Sequence, residues 1–169
     1  SEKQFLERLK YFFDSDFYIS GEMHIKNKND GQPFEPDIAL IRVKNKKNIF
    51  IDIEIDEPYD GVTKLPTHVM GKDSWRDQFF SNRGWIVIRF SERQAIQETE
   101  QCILLIAEII AQIDPEFTIH KELINTRMPS EDLKWNAADS QRMAEQKFRE
   151  SYLGKEFYES KPQRNSLES

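Results

Sequence analysis

The stretch Ile49-Phe50-Ile51-Asp52-Ile53-Glu54-Ile55-Asp56-Glu57 decides how the rest of the chain is read. Successive side chains of a strand point to opposite faces. Ile49, Ile51, Ile53 and Ile55 therefore share one face, and Asp52, Glu54 and Asp56 share the other. A row of isoleucines suits a strand packed on a core. A row of carboxylates does not, because the charges repel one another and add no packing. That face asks for a cation or for water, and an amphipathic strand with one wet face fits the same pattern.

The sequence just upstream favours the cation. Pro36 to Val43 (PDIALIRV) also reads as a strand, and the basic turn Lys44-Asn45-Lys46-Lys47 joins it to the acidic strand as a hairpin. Such a hairpin brings Glu35-Pro36-Asp37 beside the far end of the acidic strand, so Asp37 falls near Glu54 and Asp56. Converging hard oxygen donors suit Mg²⁺ or Mn²⁺. An ion of that kind activates water and stabilises charge on a phosphate under attack. Asp52, further from Asp37, is expected at the surface.

Further out, residues 2 to 13 place Phe5, Leu6, Leu9, Phe12 and Phe13 at helical spacing. Residues 17 to 25 read as a short extended segment, and 27 to 36 (NKNDGQPFEP) as a loop. Residues 73 to 82 form a short helix, with Asp73 or Ser74 as N-cap and Gly84 beyond its end. Residues 85 to 90 (WIVIRF) are a strand. Ser91-Glu92-Arg93-Gln94 has capping-box form and opens a helix to about Asp114, with Ile96, Ile103, Ile106, Ile110 and Ile113 along its stripe. After a loop through Pro115 and Pro129, a last helix runs from about Ser130 to Tyr152 and carries Leu133, Ala137, Ala144, Phe148 and Tyr152 along one side. That side is expected to pack against the core or a partner subunit, as in a homodimer. Trp75, Phe79, Phe80, Trp85 and Phe90 are assigned to the core.

The order α-β-β-β-α-β-α plus a C-terminal helix predicts an α/β fold, a mixed four-stranded sheet flanked by helices. The corresponding boundaries are a core over 1–114, a helical extension over 115–153 and a polar tail or linker over 154–169.

Taken in order, Pro36-Asp37, Ile53-Glu54-Ile55-Asp56, His68, Arg76-Asp77 and Gly84-Trp85-Ile86-Val87-Ile88-Arg89-Phe90 resemble the PD-(D/E)XK nuclease superfamily. The likeness is strongest to its very-short-patch-repair-like endonuclease branch, and it covers roughly residues 1 to 113. The resemblance implies a restriction-endonuclease-like fold and hydrolysis of phosphodiester bonds in DNA. It implies Mg²⁺ or Mn²⁺ held by Asp37, Glu54 and Asp56, a catalytic part for His68, and Glu7 as a candidate outer ligand. One departure matters: the signature lysine two residues after the acid is Asp56 here. His68, Lys72 or Arg76 could stand in for it. Three other readings stay open. They are a catalytically silent nucleic-acid or protein binding module of the same fold, an interaction domain whose acidic strand faces water, and a phosphoesterase acting on small nucleotides.

Composition bounds these readings without choosing among them. The net charge of −6 opposes nucleic-acid binding, although the positive residues Arg42, Lys44, Lys46 and Lys47 cluster as candidate phosphate contacts. A lysine-rich hairpin turn is equally a solubilising device. No apolar run approaches the about 20 residues needed to cross a bilayer, so no membrane partner is expected. The single cysteine, Cys102, cannot form an internal disulfide, which fits a cytoplasmic protein. His24 and His120 have no neighbours that suggest chemistry.

Overall fold

The computed structural model describes residues 2–26, 33–44, 47–132 and 134–154. Lys46, Leu133 and the tail from residue 155 onward lie outside them. The first half of the chain forms α1 (Glu2–Phe13), β1 (Tyr18–Ser20), β2 (Ile25–Lys26), β3 (Pro33–Phe34), β4 (Ile38–Lys44) and β5 (Lys47–Asp56). The second half forms α2 (Ser74–Ser81), β6 (Ile86–Ser91), α3 (Glu92–Gln97), α4 (Thr99–Ile113), a 3₁₀ turn at Lys121–Leu123, α5 (Ala137–Glu145) and α6 (Glu150–Leu153).

One mixed four-stranded sheet, in the order β1-β4-β5-β6, organises the molecule. β4 and β5 are the expected antiparallel hairpin, with Ile38 opposite Ile53 and Lys44 opposite Lys47. β6 returns through α2 to lie parallel to β5, which sets Glu54 beside Arg89 and Asp56 beside Ser91. β2 and β3 form a separate two-stranded ribbon. The isoleucine face of β5 packs into the main core with Phe5 and Leu9 of α1, Ile88 and Phe90 of β6, and Ile103, Ile106 and Ile110 of α4. The opposite face is covered by α2, whose Phe79 and Phe80 meet Phe34, Trp85 and Val87 in a smaller apolar cluster. Both faces of the sheet are therefore covered. Among the described residues no helix is long and apolar enough to cross a membrane.

Several expectations need correction. The extended segment predicted over 17 to 25 forms strand at Tyr18–Ser20 and again from Ile25, where β2 begins, and the loop predicted over 27 to 36 contains β3. The helix predicted from Ser91 to Asp114 breaks at Glu98, whose backbone leaves the helical region at φ −130 and ψ 40. Its carboxylate is engaged instead by Ser130, through the backbone N–H at 2.7 Å and the hydroxyl. Ile113 is exposed. The single last helix is a non-helical stretch followed by α5 and α6, with Lys147 at φ 54 between them. Polar anchors rather than an apolar stripe hold it to the core. Arg149 forms a two-pronged ion pair with Glu92 at 2.7 Å on each arm and donates to the Tyr59 carbonyl, and Ser140 donates to the Pro58 carbonyl. Trp75, assigned to the core, is 58% exposed and meets Phe34 only at its edge of the sheet, with ring centroids 5.1 Å apart.

Candidate active site

The acidic face of β5 is buried. Asp52 is 0% and Glu54 2% exposed, because α2 lies across them. This overturns the surface position expected for Asp52 and rules out a simple wet face. Guanidinium groups and a proton answer the carboxylates. Arg76, on the first turns of α2, pairs with Glu54 Oε2 and also donates to the Glu35 carbonyl at 2.7 Å. Arg89, on β6, binds Asp56 through Nε at 2.9 Å and Nη2 at 2.7 Å, and reaches Asp77 at 2.8 Å and Asp73 at 3.3 Å. Among the described residues no donor reaches either oxygen of Asp52, and the neighbouring Glu54 carboxylate is the acceptor within reach of its own proton. Burial, and then the Glu54 carboxyl beside it, push Asp52 up to about 9, so it carries a proton at neutral pH.

Asp37 meets this array as the hairpin register requires. Its Oδ2 accepts the Ile55 N–H at 2.7 Å, and its own N–H lies 3.4 Å from Glu54 Oε1. Burial and the Glu54 charge raise its carboxyl to about 7, against the opposing effect of the Ile55 N–H. At the end of β5, Asp56 turns toward the loop that carries His68. His68 Nδ1 is 3.0 Å from Asp56 Oδ1 and 3.3 Å from Asp73 Oδ2, and its Nε2 is 3.5 Å from Glu57 Oε2. Burial disfavours a charged imidazole, yet Asp56 and Glu57 prevail and raise His68 to about 10. The same contact works in reverse on Asp56. Burial pushes that carboxyl up, but His68 and Arg89 overcome it and hold it below its ordinary value.

The loop holds His68 under strain. His68 sits at φ 44, a region that costs a non-glycine residue of order 1–3 kcal/mol and persists only where the surroundings enforce it. The enforcement comes from the C-terminal extension. The Trp135 indole N–H donates to the Thr67 carbonyl at 2.9 Å, and the Met70 N–H donates to the Trp135 carbonyl at 3.0 Å. Between this extension, β6 and the loop lies a cleft of about 380 Å³ lined by Asp56, His68, Asp73, Arg89, Lys134 and Trp135, among others.

Among the described residues, one group can hold a cation. Asp56, His68 and Asp73 each offer a ligand atom, and the three atoms lie within 4.8 Å of one another. Two carboxylate oxygens and an imidazole nitrogen suit a divalent ion of the Mg²⁺–Mn²⁺ kind or a softer one. The group shares only Asp56 with the expected set of Asp37, Glu54 and Asp56. Asp37 and Glu54 come together as expected, but Arg76 pairs with Glu54 and takes the place of a cation there.

The other candidates scatter. Lys72 is exposed on the loop before α2 and does not line the cleft. Arg42 and Lys47 sit at the hairpin end of the sheet, opposite the acidic end, where both bind Asp114, at 2.7 and 2.9 Å. Lys44 is exposed at the same end. Glu7 pairs with Lys10 on the surface of α1. His24 pairs with Glu35, and His120 accepts the Glu122 N–H in the 3₁₀ turn. Sequence reasoning overlooked Arg89 and Asp73 as site residues. Arg89 was legible, since the period-two pattern of Ile86, Ile88 and Phe90 leaves Arg89 on the carboxylate face. Asp73 was read as a helix cap, but its side chain makes no cap bond and turns to His68 and Arg89 instead.

No family model, curated protein or solved structure matches this chain.

Proposed function

We propose that the chain is a restriction-endonuclease-like, metal-dependent nuclease that hydrolyses phosphodiester bonds, with DNA as substrate. The observation that carries this reading is the convergence of Asp37, Glu54, Asp56, His68 and Asp73 at one end of β5, with three of them grouped closely enough to share an ion. Asp56, His68 and Asp73 would hold the metal, Mg²⁺ or Mn²⁺, once it displaces the proton that Asp56 and Glu57 keep on the His68 ring. When bound, it lowers the pKa of a coordinated water and offsets charge developing on the phosphate. The protein's part is positional. Arg89 fixes Asp56 and Asp73, Arg76 fixes Glu54, and the anchored Trp135 holds the strained His68 loop.

A second reading has its own support. Arg89 Nη2 lies 2.7 Å from Asp56, 3.3 Å from Asp73 and 3.5 Å from His68, so a guanidinium already neutralises the same donors. A silent binding module of this fold keeps its acidic cluster satisfied in this way and needs no ion.

The test is cleavage of plasmid and single-stranded DNA with Mg²⁺ or Mn²⁺ by the wild type, Asp73→Asn and Glu54→Gln. We expect metal-dependent cutting that falls by about 100-fold or more in Asp73→Asn and by about 10–100-fold, the range of a lost outer partner of a metal site, in Glu54→Gln. Equal cutting by wild type and variants, or binding without any cutting, sinks the nuclease reading.

A further inference from the structure

The cleft beside the metal-capable group carries four carboxylates, Asp56, Asp73, Asp77 and Asp132, against three cationic side chains, Arg89, His68 and Lys134. A polyanionic strand entering it needs a cation that is not already spent on the protein. Arg89 is saturated by Asp56, Asp73 and Asp77, and His68 by Asp56, Glu57 and Asp73. Lys134 alone among these cleft-lining cations has no hydrogen bond or ion pair among the described residues.

Its backbone, by contrast, is tightly placed. Ser130 is held by Glu98 and its carbonyl accepts from Gln94 at 2.6 Å. Asp132 accepts from the Ser91 hydroxyl and from Arg93 at 3.2 Å. Trp135 is fixed to Thr67 and Met70. Residues 130 to 132 and 134 to 136 form no helix or strand, yet Ser130, Asp132 and Trp135 pin them to α3, β6 and the His68 loop. A flexible ammonium on a fixed stem, facing an acidic cleft and without a partner among the described residues, is the arrangement of a ligand contact and not of a structural ion pair.

We propose that Lys134 is the substrate-contacting cation of this site, binding a backbone phosphate of a nucleic-acid strand laid along the cleft. This rests on the nucleic-acid reading above and assigns the positive charge that the acidic strand, with Asp56 in the signature-lysine position, does not itself supply. It replaces Lys72 and Arg76 in that part, the first because it lies outside the cleft and the second because it is committed to Glu54.

The experiment measures binding of a labelled single-stranded DNA oligonucleotide by fluorescence anisotropy in Ca²⁺ across a salt series. It compares wild type, Lys134→Ala, Lys134→Arg and, as a charge-matched control, Lys121→Ala on the 3₁₀ turn. Lys134→Ala is expected to weaken binding about 5–10-fold at low salt and to lower the slope of log K against log salt by about 0.7, the value of one lost single-strand phosphate contact. Lys134→Arg restores the slope and Lys121→Ala leaves it at the wild-type value. The thermal midpoint stays level because Lys134 is exposed. A Lys134→Ala slope equal to wild type, the same loss in Lys121→Ala, or no binding by the wild type overturns the proposal. Cleavage in Mg²⁺ or Mn²⁺ separates the two claims. Wild-type binding without cutting, with the slope lost in Lys134→Ala, removes the nuclease and keeps the lysine contact. Equal cutting by wild type and Lys134→Ala does the reverse.

Discussion

Asp52 is the residue with the least to gain from where it stands. It is fully buried, no donor among the described residues reaches either oxygen, and it can hydrogen-bond to Glu54 only by keeping its own proton. The charged form would cost more, so the group keeps its proton. The sign of the pH effect follows. A carboxyl raised in the folded state stabilises that state fully only below its unfolded pKa, and the contribution is lost as pH rises through the folded value. Asp52, raised to about 9, and Asp37, raised to about 7, therefore drain stability from pH 4 upward. His68, raised to about 10, contributes fully below its ordinary value of 6.5, and that contribution fades as pH climbs toward 10. Asp56, held low, acts in the opposite sense and matters only in acid. In chelator, the melting temperature should fall steadily from neutral pH to pH 9. Asp52→Asn, neutral throughout, should flatten that decline. A decline of the same steepness in the variant would show that Asp52 is not its source.

At the scale of elements, the hairpin and the parallel return strand were legible because their chemistry is local. Alternation in 49–56 and 85–90 and the turn at Lys44–Lys47 prescribe strands directly, and the Ser91–Gln94 capping box starts α3 as read. What escaped notice depends on residues far apart in sequence. The break at Glu98 is enforced by Ser130, 32 positions away, and no helical propensity near Glu98 announces it. The burial of Asp52 depends on α2 folding over it, and the Trp135 anchor on a carbonyl 68 positions upstream. Asp37 beside Glu54 could be derived from the turn, but Asp73 beside Asp56 needed the loop closed by Trp135. The same logic supports a prediction. Arg149→Met leaves the buried Glu92 in the first turn of α3 without its counter-charge, although the Tyr152 hydroxyl still donates to it, and should cost about 3–5 kcal/mol in urea unfolding. Adding Glu92→Gln to Arg149→Met should recover part of the loss, whereas an additive double variant would mean the pair is not coupled.

For the whole molecule, the decisive quantity is the free energy an ion adds to the folded state. A metal that binds only the native protein stabilises it by about 2.7 kcal/mol at a hundredfold excess over Kd, or about 5–10 °C for a chain of this size. Mn²⁺ should therefore raise the melting temperature of the wild type and leave Asp73→Asn unmoved. An equal rise in both would place the ion elsewhere. The polar lock between α3 and the C-terminal helices bears on a different matter, the order in which the chain is made. Glu92 leaves the ribosome 57 residues before Arg149. At about 5–20 residues per second, it waits roughly 3–11 s for its counter-charge. During that interval the nascent sheet has its strands but not the clamp that closes over Tyr59 and Glu92, so the native site cannot assemble until nearly all of the described chain has been synthesised.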